Sequence, residues 1–213
     1  MTLSLIASSI LGYLIGSINT SIVFSKLKKN DIRKHGSGNA GATNTLRVMG
    51  KGAAALVLLG DALKAVIAIL LAWWVARLFT LDAAGVAYCK YFAALFVVLG
   101  HNFPVFFGFR GGKGIVTSIA VMYMLDWRVA TISLLLGILV IVLTRYVSLG
   151  SMTGCVMYPV FVFVFYRGDM LLYEKMHLLL ALILGALGIW RHRSNIKKLI
   201  RGTESKIGEK AKQ

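Results

Sequence analysis

The sequence predicts an all-α polytopic membrane protein of about seven transmembrane helices, with its N-terminus outside and its C-terminus cytoplasmic. Hydrophobic residues fill 58% of 213 positions and the mean hydropathy is +0.76, too apolar for a soluble domain of this size. Glycine is frequent (22) and proline rare (2), which suits close-packed spans whose backbones approach through small residues. The basic residues cluster between apolar windows instead of spreading evenly.

The windows fall near 3–25, 53–76, 86–108, 115–125, 129–144, 151–166 and 176–190. A full span takes roughly 20 residues to cross about 30 Å of hydrocarbon. The first three windows reach that length and the last four are short. Asp126-Trp127-Arg128 interrupts the fourth and fifth as a tight turn or a kink. Seven spans place 26–51, 109–114, 145–150 and 191–213 inside. These segments hold 7, 2, 1 and 8 basic residues, 18 of the 24. Arg77, Lys90, Arg128, Arg167 and Lys175 fall outside, and Lys64 lies within a span. Merging 115–144 into one span would put the basic C-terminal cluster outside, against the positive-inside rule. No linker, low-complexity block or repeat interrupts the chain, so 1–213 reads as a single integral-membrane domain. The N-terminal run has no basic n-region and reads as a first span, not a cleaved signal.

The formal charge of +16 would suggest nucleic acid in a soluble protein. Here membrane topology accounts for it and no nucleic-acid partner is expected. Among eight acidic residues no two form a clear metal-ligand pair, so neither a metal nor another cofactor is expected. Cys89 and Cys155 lie in apolar segments without CxxC spacing and read as small buried hydrophobes.

Three polar segments, all inside, carry the chemistry. The first is "HGSGNAGATNTLR", His35–Arg47. Gly36, Gly38 and Gly41 free the backbone to turn N–H groups toward one point, a nest that binds anions. Ser37, Asn39, Thr43 and Asn44 add neutral hydrogen bonds, and Arg47 can grip a phosphate through two donors. Composition alone supports a phosphate site and a flexible loop equally.

The second is "FRGGKG", Phe109–Gly114. Phe107 stands where a P-loop needs its first glycine, and Gly114 follows the lysine in place of Ser or Thr, which disfavours a nucleotide loop. Gly111, Gly112 and Gly114 can still offer bare amides beside the Lys113 ammonium, although a plain basic turn explains this piece better by itself. His101, upstream, reads as packing.

The third is "RHRSNIKKLIRGTE", Arg191–Glu204. Its lysines and arginines suit a helix lying on anionic lipid. His192 and Asn195 are three apart and share a helix face; a site and a headgroup contact are equally open for them. Asp61 and Lys64, also three apart, read first as a structural pair within a span, although ionisable groups there are functional suspects.

Together "GSGNAGATNTLR", "FPVFFGFRGGKG" and "RHRSNIKKLIRGTE" resemble the three signature motifs of the bacterial acyl-phosphate:glycerol-3-phosphate acyltransferases. The resemblance covers the whole chain in order; Lys198 stands where that family commonly has arginine. It implies a seven-helix, multi-pass enzyme of the bacterial cytoplasmic (inner) membrane, its motifs facing the cytoplasm. The implied reaction moves a fatty acyl group from acyl phosphate to the 1-hydroxyl of sn-glycerol 3-phosphate. The products are lysophosphatidate and phosphate, in the first acylation of phospholipid synthesis. Ser37 and Arg47 match the essential pair of the first motif. Gly111, Gly112, Lys113 and Gly114 match the donor-associated second motif. His192 and Asn195 match the polar pair of the third, and Glu204 its acidic residue, assigned to structural integrity. The partners implied are the two substrates and membrane lipids, with no obligate protein partner.

The chemistry fits these residues. Both substrates carry phosphate, and two glycine-rich segments with Arg47 and Lys113 supply two anion sites. Acyl phosphate is a mixed anhydride with a good leaving group, so no covalent nucleophile is required, and Ser37 has no evident neighbouring base. The position five residues after each histidine holds Ala40, Phe106, Leu182 or Lys197, which excludes the acyltransferases built on a His with an Asp at that distance. Either His192 or a phosphate oxygen of the donor could take the acceptor's proton; the second is preferred. A transporter of phosphorylated anions is the main rival, but its midplane helix breaks do not match glycine segments at span ends.

Overall fold

A computed structural model describes residues 1–168 and 171–208. All regular structure among these residues is helical. Six helical stretches are long and apolar enough to cross a membrane: Thr2–Leu27, Ala42–Leu78, Ala83–Phe107, Trp127–Thr144, Val147–Tyr166 and Leu172–Arg191. A shorter apolar helix, Ile115–Leu125, occupies the remaining predicted window. The chain forms two compact units, Met1–Met124 and Leu125–Gln213.

In the first unit, the window predicted as one span is two helices, α1 (Thr2–Gly16) and α2 (Thr20–Leu27). Asn19 causes the break: its Oδ1 accepts the Ile22 N–H at 3.0 Å and caps α2. α3 (Ala42–Leu78) kinks at Gly50, whose φ of 85° leaves the helical region. α4 (Ala83–Asn102) starts on an Asp82 cap, with Oδ1 2.8 Å from the Gly85 N–H. α1 and α4 touch backbone to backbone. A Cβ on Gly16 would fall 2.2 Å from the Val97 carbonyl oxygen, and one on Gly100 2.3 Å from that of Tyr13, the close approach that small residues permit in membranes. A 3₁₀ turn at Val105–Phe107 and the second motif then lead into α5 (Ile115–Leu125).

The second unit holds α6 (Trp127–Thr144), α7 (Val147–Tyr166), α8 (Leu172–Arg191) and α9 (Arg193–Ile200). The charged interruption at 126–128 is a capping turn: Asp126 Oδ1 accepts the Arg128 N–H at 2.9 Å. Its other oxygen pairs with the Arg128 guanidinium at 2.9 Å and accepts the Tyr166 hydroxyl. α7 packs on α6 through Gly150, where a Cβ would meet the Gly137 carbonyl oxygen at 2.4 Å. It packs on α8 through Gly185, set against the Cys155 carbonyl. Leu59, Leu63 and Leu70 on α3 and Leu135, Leu139 and Val142 on α6 are exposed, as lipid-facing surfaces require.

Candidate active site

The first motif is half loop and half helix. α3 starts at Ala42, so Thr43, Asn44 and Arg47 lie in its first turns and not in a flexible loop. Asn44, 1% exposed, organises the loop half. Its Oδ1 accepts the Ser37 N–H at 2.9 Å, and its Nδ2 donates to the His35 carbonyl at 3.0 Å and the Ile32 carbonyl at 3.4 Å. Gly36 must pass this amide closely, with φ 58° and space for no Cβ: one would sit 2.3 Å from Asn44 Oδ1. The Gly38 N–H donates to the His35 carbonyl and the Gly41 N–H to that of Asn39. The amides of Ser37, Gly38 and Gly41 are thus engaged inside the motif, where the sequence suggested a nest turned to a ligand. The anion-binding potential shifts to the start of α3. Its N-cap, Gly41, brings no side-chain cap, which leaves first-turn amides and the positive end of the helix dipole for a ligand. Ser37 and Thr43 are exposed beside it and Arg47 is half-buried.

The second motif packs directly on the first. A Cβ on Gly112 would fall 2.1 Å from His101 Nε2 and 2.5 Å from the Ala40 carbonyl oxygen. One on Gly111 would fall 2.0 Å from the His101 carbonyl oxygen. Their amides donate to the carbonyls of Asn102 (Gly111) and His101 (Gly112), each at 3.2 Å. These two glycines serve close packing, not bare amides as the sequence suggested. Gly114 enters α5 at φ 79°. Arg33 clamps the same loop: Nη1 donates to the Phe107 carbonyl at 2.8 Å and the Arg110 carbonyl at 3.4 Å. Its Nη2 pairs with Asp31 at 2.7 Å. The Arg33 hydrogen bonds hold the Asp31 carboxyl down at about 2, and the carboxylate in turn raises Arg33. His101, read as packing from sequence, is 3% exposed and in contact with two ionisable groups. Its Nδ1 lies 2.9 Å from Lys64 Nζ and 3.6 Å from Asp61 Oδ1, and Lys64 and Asp61 pair at 2.9 Å.

The third motif belongs to the second unit. His192 joins α8 to α9 and is 2% exposed. Its Nδ1 lies 2.8 Å from the Gly188 carbonyl oxygen. A carbonyl can only accept, so Nδ1 carries the hydrogen and Nε2 is the basic nitrogen of the neutral ring. Asn195 Nδ2 donates to Glu204 Oε1 at 2.7 Å, and Ser148 Oγ donates to the same oxygen at 2.8 Å. Glu204 therefore ties the start of α7 to α9. Arg193, Lys197 and Lys198 are exposed.

A model of the family described as glycerol-3-phosphate acyltransferase matches residues 6–202. The chain belongs to the glycerol-3-phosphate acyltransferase family. The glycerol-3-phosphate acyltransferase of Thermoanaerobacter sp. (strain X514) is 46% identical over 206 residues, covering 96% of each chain. That of Shouchella clausii (strain KSM-K16) is 46% identical over 214 residues, covering 99% of each. Two crystal structures of PlsY, an integral membrane glycerol 3-phosphate acyltransferase, share the fold. The glycerol 3-phosphate form has a TM-score of 0.83 at 40% identity, and the lysophosphatidic acid form 0.80 at 38%. Each covers 96% of both chains.

Within this acyltransferase the residues that sequence reasoning passed over are Arg33, His101 and Ser148. Charge parity marks 145–150 as an inside segment, the one inside segment without a motif. That parity is the sequence signal for Ser148. In the sequence Arg33 is one topology charge among several, and His101 stands alone in an apolar run.

Proposed function

We propose that acyl phosphate is the donor from which this glycerol-3-phosphate acyltransferase makes lysophosphatidate, by transfer to the 1-hydroxyl of glycerol 3-phosphate. The observation that carries this reading is the packing of Gly112 on Ala40. It puts Lys113 on the same local framework as Arg47 and the uncapped start of α3, two cationic groups for two phosphates. The acceptor oxygen attacks the carbonyl carbon of the mixed anhydride. The bond from that carbon to the phosphate oxygen breaks, and phosphate leaves with the electron pair. A phosphate oxygen takes the hydroxyl proton, so the protein's contribution is positioning and charge neutralisation. Arg47 and Lys113 hold phosphate, Ser37 and Asn195 orient substrate, and His192 can assist only through Nε2. Gly36, Gly38, Asn39, Gly41, Thr43, Asn44, Gly111, Gly112 and Gly114 shape the binding walls.

The protein works as one integral-membrane domain of a bacterial cytoplasmic membrane, motifs inward and N-terminus outward, supplying the first acylation of phospholipid synthesis. The basic inside segments support this orientation. In the deciding assay, purified protein receives glycerol 3-phosphate with either acyl phosphate or an acyl thioester, and lysophosphatidate release is measured. Product from acyl phosphate, reduced in Ser37→Ala and Arg47→Ala and unaffected by a chelator, is expected. Product from the thioester alone overturns the donor assignment.

A further inference from the structure

Asp61, Lys64 and His101 form a charged cluster inside membrane spans that has no part in the reaction as written, yet it ends beneath the second motif. The three residues are 1%, 6% and 3% exposed. Lys64 Nζ lies 2.9 Å from Asp61 Oδ1 and 2.9 Å from His101 Nδ1. It also donates to the carbonyls of Gly16 at 3.1 Å and Ile18 at 3.0 Å, at the break between α1 and α2. Thr20 adds its hydroxyl to Asp61 Oδ1 at 3.1 Å. Three of the four neighbours of Nζ are oxygens, one of them a carboxylate, which makes Lys64 an ammonium. An ammonium donates and never accepts. Its three N–H groups are shared among four neighbours, and a hydrogen on His101 Nδ1 would point at this cation, so Nδ1 presents its lone pair and the hydrogen of the neutral ring sits on Nε2. Nε2 and the Ala40 carbonyl oxygen both flank the point where a Gly112 Cβ would sit, 2.1 and 2.5 Å from it. A donor is thus delivered where the second motif crosses the first.

We propose that Asp61, Lys64 and His101 are positioning residues of this acyltransferase. Lys64 sets the His101 tautomer, and the His101 Nε2–H holds the Ala40–Gly112 crossing in the register that Arg47 and Lys113 need to bind phosphate. The inference rests on the reading of the first two motifs as the phosphate site. A buried ion pair is weak support for stability, since an apolar pair of similar volume often serves as well. Three ionisable groups kept where two spans meet are better explained by the orientation they impose.

The test is equilibrium binding of glycerol 3-phosphate to purified protein, with thermal stability in detergent recorded alongside. This readout needs no donor, so a failure of the acyl phosphate assignment leaves it standing. Asp61→Asn combined with Lys64→Met removes both charges at once and strands neither. His101→Gln keeps an amide N–H near the place of Nε2, whereas His101→Asn keeps one near Nδ1. The double variant and His101→Asn are expected to bind about tenfold more weakly, the scale of one buried hydrogen bond, at little change in Tm. His101→Gln is expected to stay within about threefold. Equal loss in the Gln and Asn variants, or unchanged affinity in the double variant, overturns the proposal.

Discussion

Asn44 holds the backbone of Ser37 from seven residues away, its buried side-chain oxygen 2.9 Å from the Ser37 N–H. The same amide reaches back to the carbonyls of His35 and Ile32. One side chain on the first turn of α3 thereby fixes the loop that carries the exposed Ser37 hydroxyl. Asn44→Ala removes the partner of the Ser37 N–H. The cost of a buried polar group left unmatched is about 1–3 kcal/mol. A fall in Tm is expected together with a kcat/KM for glycerol 3-phosphate lower by about tenfold or more, because the loop loses the one side chain that ties Ser37, His35 and Ile32 together. Asn44→Asp keeps the acceptor but turns an oxygen toward the His35 and Ile32 carbonyls in place of their donor, so it should recover no more activity than Asn44→Ala. Steady-state kinetics on the two variants checks the order.

The second motif gives a steric prediction. Gly112→Ala drives a Cβ into His101 Nε2 and the Ala40 carbonyl, and the latter is backbone that cannot swing aside. Overpacking of this kind costs about 1–3 kcal/mol, so both Tm and turnover should fall. Gly154 in α7 is the control, since a Cβ there meets nothing within 4 Å. Gly154→Ala should leave activity unchanged and stability equal or slightly higher, by at most about 1 kcal/mol. Parallel thermal melts in detergent distinguish the two sites.

These two positions also show what the sequence made legible. Apolar windows locate the spans, because a helix that crosses lipid must be predominantly apolar over roughly 20 residues. The charged run at 126–128 marks the break before α6, where Asp126 is buried yet satisfied as a cap and by its pair with Arg128. The split of the first window at Asn19 was not visible, since Ser17-Ile18-Asn19 barely lowers the hydropathy. Glycine spacing likewise could not tell amides offered to a ligand from amides bonded to neighbouring carbonyls. That difference depends on the Asn102 and His101 carbonyls of another element. His101 was illegible for the same reason: its partners, Asp61 and Lys64, come from a helix some forty residues earlier.

Asp31 predicts a pH dependence. Its carboxyl is held at about 2 against an ordinary 3.8, chiefly by the Arg33 side-chain hydrogen bonds. A depressed folded-state value means the stabilisation is complete above the ordinary value and is lost as pH falls toward 2. Asp31→Asn should lower Tm at neutral pH, and the gap to the unmutated protein should close between about pH 4 and pH 2. Because Arg33 also clamps Phe107 and Arg110, the variant should weaken donor binding more than it lowers kcat. A pH series of melts, with KM measured at neutral pH, tests both parts.

Glu204 offers a choice between a structural and a chemical role that one pair of variants decides. Its Oε1 accepts from both Ser148 and Asn195, so what the site uses is an acceptor at that point. A glutamine supplies a carbonyl oxygen with two lone pairs at the same place and can receive both donors. An alanine supplies none, and α9 loses its tie to the start of α7. If Glu204 acts only by holding Asn195, Glu204→Gln should keep kcat/KM within about threefold while Glu204→Ala loses about tenfold or more. If the carboxylate instead moves a proton, both variants should fall together, mainly in kcat, by the 10² or more typical of a lost acid–base group. The tie also predicts a distinct readout: protease cleavage after Arg193, Lys197 or Lys198, all exposed on α9, should quicken in Glu204→Ala and not in Glu204→Gln. Faster cleavage in both variants would mean that charge, and not the shared acceptor oxygen, keeps α9 in place.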